Sequence, residues 1–211
     1  MVDLFKHILH LDFPWLFSQY GGFIYLILFL IIFTETGLVL IPFLPGDSLL
    51  FTAGLFAQQG FLRIEWLLPL LFGAAILGDS TNYLIGRFLG STILAIQRNG
   101  KPLIKPIHVE RTHAFYEEYG AKTIIMARFV PIVRTFAPFV AGVASMNYRK
   151  FLGFDLLGGA LWIGILTIAG YYLGSFTLIK NHIDLVALII ILVSVAPVVI
   201  AVLRKKQPKS K

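Results

Sequence analysis

The sequence predicts an all-α polytopic membrane protein: an inverted repeat of surface helix, re-entrant hairpin and spanning helix, plus a C-terminal spanning helix. Three observations predict it. The 211 residues are 57% hydrophobic and 14% charged, with a mean hydropathy of +0.82, more apolar surface than a soluble domain of this length uses. Four charges, Glu35, Asp47, Arg128 and Arg134, lie inside apolar stretches and beside prolines. The two halves of the chain also share a pattern. A charge at bilayer depth is costly unless it meets a partner or a wet cavity. Proline breaks the helix, and broken backbone survives at that depth only when buried in protein or facing water.

Residues 1–17 carry Leu4, Phe5, Ile8, Leu11 and Trp15 between charges and Pro14. They lack the unbroken apolar core and cleavage site of a signal peptide and fit an interfacial helix. Phe23 to Gln58 reads as a first re-entrant hairpin, because its apolar runs are shorter than the about 20 residues a span needs. The alternative is one tilted span, about Phe23 to Leu44, followed by a short surface helix. Trp66 to Leu89 is a spanning helix despite Pro69, Asp79 and Asn82. His108 to Tyr119 is an amphipathic surface helix. Lys122 to Met146, two short arms about an Arg-Pro-Arg centre, is a second hairpin. Phe151 to Phe176 and Ile183 to Leu203 span, and 204–211 is a basic, solvated tail.

Internal similarity organises these elements. Tyr20-Gly21 precedes the first hairpin and Tyr119-Gly120 the second. Pro45 to Gly54 matches Pro131 to Gly142, and Gly86 to Ser91 matches Gly170 to Ser175. Repeat 1 covers about 1–91 and repeat 2 about 108–176, within a single membrane domain of 1–203. One span separates the two starts, so the repeats are inverted and their site lies where they meet. The arginines of one hairpin then meet the carboxylates of the other. Lys6, Arg63 and Lys180 fall on one side. Arg149, Lys150, the tail and the basic residues from Arg87 to Lys122 fall on the other, which places the C-terminus in the cytoplasm. The net charge of +7 therefore reads as a topology signal, not as a nucleic-acid surface.

Glu35-Thr36-Gly37, Phe43 to Leu50, Gly78 to Arg87 and Ala127 to Pro138 together resemble the bacterial DedA family, whose domain is also called VTT. The resemblance covers nearly the whole chain. It implies a bacterial inner-membrane protein with paired re-entrant loops. It also implies a functional acidic pair, matching Glu35 and Asp47, and an arginine pair, matching Arg128 and Arg134. Members resemble proton-dependent transporters, recycle undecaprenyl phosphate or, in eukaryotes, scramble phospholipids.

The residues themselves suit a phosphate-headed lipid. Arginine stays ionised when buried, and its planar fork bonds two phosphate oxygens. Arg128 and Arg134 flank the break at Pro131, where they approach one phosphate from both sides; the plainer reading is that they neutralise the carboxylates. Glu35 and Asp47 are candidates for proton coupling or gating, although Pro-Gly-Asp-Ser also makes Asp47 a helix N-cap. Asp79 and Asn82, three apart on one helix face, line the cavity or hold the first hairpin, beside Pro45 and Pro131. Asp155, near a helix start, favours the dipole. Arg87 snorkels at a helix end. Gly86/Gly90 and Gly170/Gly174 permit close packing, within the chain or in a homo-oligomer.

No cofactor or metal is expected. Cysteine is absent, and His7/His10 and His108/His113 lack a third ligand. There is no phosphate loop for ATP, and Ser48 has no histidine base, so enzyme chemistry is not expected. The expected partners are the bilayer, a phosphate-headed lipid and protons. Two rival readings are a proton-coupled transporter of small cations or drugs and a non-transport membrane organiser.

Overall fold

The computed structural model describes residues 13–38, 46–95, 97–98, 101–102, 116 and 119–176. Residues 1–12, nearly all of the expected surface helix at 108–119, the expected span at 183–203, the tail, Pro45 and the paired histidines lie outside them.

Among the described residues three helices are long and apolar enough to cross a membrane: Gln19–Gly37, Ile64–Gly90 and Tyr148–Leu173. The protein is an all-α polytopic membrane protein. The only strands among the described residues are a two-residue antiparallel ladder, Gln97–Arg98 with Lys101–Pro102.

Helix α1 (Phe13–Gly37) is bent at Tyr20, where φ −121 and ψ 15 leave the helical region, just before Gly21-Gly22. Beyond the bend its residues separate by helical spacing. Phe23, Leu26, Ile27 and Leu30 are exposed, whereas Leu28, Ile32, Glu35 and Thr36 are buried. This arm is longer than the half-crossing arm expected from Phe23. The polar Thr-Glu-Thr does not stop it, because Thr36 Oγ1 donates back to Ile32 O at 3.0 Å. Helix α2 (Gly46–Gln58) follows. Leu50, Ala53, Leu55, Phe56 and Ala57 are buried within the protein. Arg63 N donates to Tyr25 Oη at 2.7 Å, so the chain that leaves at Tyr25 is back beside it at Arg63.

Helix α3 (Ile64–Ala95) has 32 residues, about 48 Å at 1.5 Å per residue. Pro69 sits near its start and costs one backbone bond there. Tyr119 leads into a 3₁₀ turn at Gly120–Lys122, then α4 (Thr123–Ala127) and α5 (Pro131–Val143) form the second hairpin. Its arms pack on each other through the cluster of Ala127, Val133 and Ala137, and Ile124 and Ala141 share a second cluster with Tyr83 and Phe151. Helix α6 (Tyr148–Leu173) is capped by Asn147, whose Oδ1 accepts from Arg149 N and Lys150 N. It ends before the expected Phe176. Its outward stripe is Leu157, Leu161, Ile165, Ile168 and Tyr172, apolar as a lipid-facing surface requires.

The chain forms two compact units. One comprises Met1–Leu28, Phe43–Leu68 and Ile165–Lys211; the other comprises Phe29–Pro42 and Pro69–Gly164. Each holds a glycine crossing of the same kind. In the first unit, a Cβ on Gly54 of α2 would lie 2.1 Å from Thr167 O, and one on Gly170 of α6 would lie 2.0 Å from Phe51 O. In the second, a Cβ on Gly142 of α5 would lie 2.0 Å from Tyr83 O, and one on Gly86 of α3 would lie 2.1 Å from Phe139 O. Gly54 matches Gly142 in the sequence repeat, and Gly86 matches Gly170. In each unit a short helix, α2 or α5, thus packs backbone to backbone on a long one, α6 or α3.

Candidate functional site: two arginines about one indole

The site lies wholly in the second unit. Its backbone is set by the break between α4 and α5. Arg128 N, Phe129 N and Val130 N close back on Ile125 O, Met126 O and Ala127 O, which ends α4. Val130 is extended at φ −114 and ψ 106, as a residue before proline prefers. Pro131 then opens α5 at its first turn, where its missing N–H costs nothing. Arg128 stands at the break and Arg134 one turn into α5.

Arg134 Nη2 donates to Glu35 Oε1 of α1 at 2.6 Å. Arg128 Nη2 donates to Asp155 Oδ1 of α6 at 2.5 Å and also to Asp79 Oδ2 of α3. Both guanidiniums lie over Trp162, with Arg128 Cζ 5.6 Å and Arg134 Cζ 5.3 Å from its ring centroid, within cation–π range. Gly158 and Gly159 lie beside Arg128, where a Cβ would make ordinary contact with its Cγ at 3.4 Å or its Nη2 at 3.6 Å; the tighter neighbours are Ile125 Cα and Ile76 Cδ1, each at 3.1 Å. Asn82 Nδ2 donates to Thr36 O at 3.0 Å and to Thr135 O at 2.9 Å, tying the end of α1 and the start of α5 to α3. Glu35, Asp79, Asn82, Arg128 and Asp155 are all buried. Charges are stable there only as pairs.

The structure therefore brings Glu35, Asp79, Asn82, Arg128 and Arg134 together and adds Asp155 and Trp162. Asp47 belongs to the first unit. Helix α2 begins at Gly46, so Asp47 lies within the first turn and not ahead of it as an N-cap; an acid there favours the dipole. Asp155 needs a larger correction. Helix α6 begins at Tyr148, three residues before the apolar run, so Asp155 lies two turns inside and serves Arg128, not the helix end. The readable signal was its spacing with Gly158, Gly159 and Trp162, which puts small and polar groups on one face of an apolar helix. Arg87 is exposed, and its Nη1 donates to Tyr83 Oη at 3.2 Å. Among the described residues no cluster of His, Cys, Asp and Glu fits a metal.

The VTT domain model matches residues 44–172. The chain is 46% identical over 208 residues to "Protein DedA" of Escherichia coli (strain K12), across 97% of this chain and 94% of that protein. It is 46% identical to an "uncharacterized membrane protein" of Mycobacterium leprae, across 81% of this chain and 76% of that one. It is 35% identical to "Inner membrane protein YqjA" of Escherichia coli (strain K12), across 77% and 73%. No solved structure matches.

Proposed function

The chain belongs to the DedA family of VTT-domain membrane proteins, and from that premise we propose that it is an inner-membrane transporter that moves a phosphate-headed lipid between leaflets, without enzymatic chemistry. One observation carries this reading: two guanidiniums flank a single indole in a buried cluster, each held by a carboxylate that a phosphate can replace. Arginine is the residue for that exchange, since its charge survives burial and its fork fits phosphate oxygens. In the resting state Glu35 and the two aspartates occupy the forks. An incoming headgroup takes their place, and the lipid tail stays in the apolar surroundings.

Undecaprenyl phosphate and phospholipids present this chemistry, a phosphate on a long apolar tail. Glu35 and Asp47 act as gating or proton-coupling acids, with Asn82 and Pro131 shaping the site. The C-terminus faces the cytoplasm, as the loop charges favour.

The test is transfer of a labelled polyprenyl phosphate across liposomes holding the full-length protein. Arg128→Ala and Arg134→Ala abolish transfer while the protein still folds. Wild-type transfer in both variants ends the phosphate reading. Saturable proton flux driven by a small cation, without lipid movement, supports the cation-transporter reading instead. Tolerance of neutral substitutions at all four charges supports an organiser.

A further inference from the structure

Asp79 and Asp155 converge on one nitrogen of one guanidinium. Both accept from Arg128 Nη2, they come from different helices, and they are 3% and 0% exposed. Asp155 Oδ2, also buried, has no hydrogen-bond partner. The other cation near them among the described residues is Arg134, which lies over the same Trp162 ring as Arg128. Arg134 is bonded to Glu35. The Asn82 amide is committed to two backbone carbonyls. The Tyr116 hydroxyl donates to Ala137 O at 3.0 Å.

The charge balance follows. Asp79 and Asp155 both bear on Arg128 Nη2, two carboxylates on one guanidinium nitrogen. If both were ionised, two negative charges would share one guanidinium at 3% and 0% exposure, a situation proteins relieve by neutralising a group. Two carboxylates sharing one site do not both ionise. We propose that Asp79 and Asp155 form a proton-binding site that holds one shared proton beside Arg128, separate from Glu35 and Asp47. One carboxylate keeps the ion pair, the other carries the proton, and the two titrate as a unit. On the transport reading, which this consequence alone rests on, a phosphate that draws Arg128 away strips both acids of their cation. A second proton then enters, so headgroup binding and proton uptake run together.

The test is infrared spectroscopy of the full-length protein in lipid, labelled with carbon-13 at the aspartate side-chain carboxyl. At neutral pH the wild type shows the C=O stretch of a protonated, labelled carboxyl. Asp79→Asn and Asp155→Asn each abolish it, because the remaining aspartate then pairs one to one with Arg128 and ionises. Each single variant melts near the wild type, whereas the double variant, which strands Arg128, melts lower. Absence of the wild-type band, or its survival in both single variants, overturns the proposal. Should an asparagine variant fail to fold, Asp155→Glu decides: the labelled band shifts or weakens, and an unmoved band overturns the assignment. The band is read without any lipid movement, so failure here is distinct from failure of the transport reading.

Discussion

Glu35 and Arg134 stand 99 positions apart in sequence, and Arg134 Nη2 reaches Glu35 Oε1 at 2.6 Å, with side chains 15% and 4% exposed for Arg134 and Glu35. The bond ties the last turn of α1 to the first turn of α5. Removing one partner leaves the other charge largely out of water. Glu35→Ala and Arg134→Ala are each expected to destabilise the protein by about 3 kcal/mol. The double variant loses less than the sum, because no orphan charge remains. Thermal unfolding of the four proteins in detergent measures this. Strict additivity would show that the pair is not coupled.

Replacing Arg128 with Lys separates charge from shape. Lysine keeps one positive charge but lacks the planar fork and the stacking surface that arginine offers to Trp162 and to a phosphate. Lipid transfer in liposomes is expected to fall at least tenfold in Arg128→Lys, while the folded fraction by size-exclusion chromatography holds. Transfer at the wild-type rate would mean that a point charge suffices.

Much of this arrangement is written in the sequence because bilayer physics leaves few choices. A charge in an apolar run must find a partner, so Glu35, Arg128 and Arg134 stand out without coordinates. The spans at Ile64–Gly90 and Tyr148–Leu173 follow from hydropathy alone. Which acid meets which arginine is not written there. It depends on the crossing of α5 over α3 and on the start of α6, both tertiary facts. Asp155 reads as a helix-end residue only because hydropathy begins counting at Phe151, whereas the polar Tyr148-Arg149-Lys150 is already helical behind the Asn147 cap. Trp162 looks like one more apolar residue until two guanidiniums are found on its ring. The first arm also reads short, since Glu35 ends the apolar run but not the helix.

Trp162 holds both guanidiniums over its ring, and a smaller aromatic ring should do so less well. Trp162→Phe keeps a π face and is expected to cost about 1 kcal/mol. Trp162→Leu forfeits both cation–π contacts, at about 0.5–2 kcal/mol each, and leaves a packing defect as well. Lipid transfer should follow the order Trp, Phe, Leu. Equal transfer in all three would reduce Trp162 to a space-filling residue.

The two glycine crossings make the sharpest demand on the sequence. At Gly86 and Gly142 in one unit, and at Gly54 and Gly170 in the other, an added Cβ would lie 2.0 to 2.1 Å from a backbone oxygen of the facing helix. Backbone cannot rotate aside as a side chain can, so the helices must part. Alanine at any of the four is expected to destabilise by about 1–3 kcal/mol, the usual range for overpacking. Alanine at Gly73 or Gly164, where nothing lies within 4 Å of the new Cβ, should instead be neutral or stabilising by up to about 1 kcal/mol, because glycine is the poorer helix former. Melting temperatures of the six variants in one detergent check this. The contrast matters more than any single value, since all six substitutions add the same methyl group to a helix. If Gly73→Ala and Gly142→Ala shift the midpoint alike, helix propensity and not the backbone crossing governs these positions.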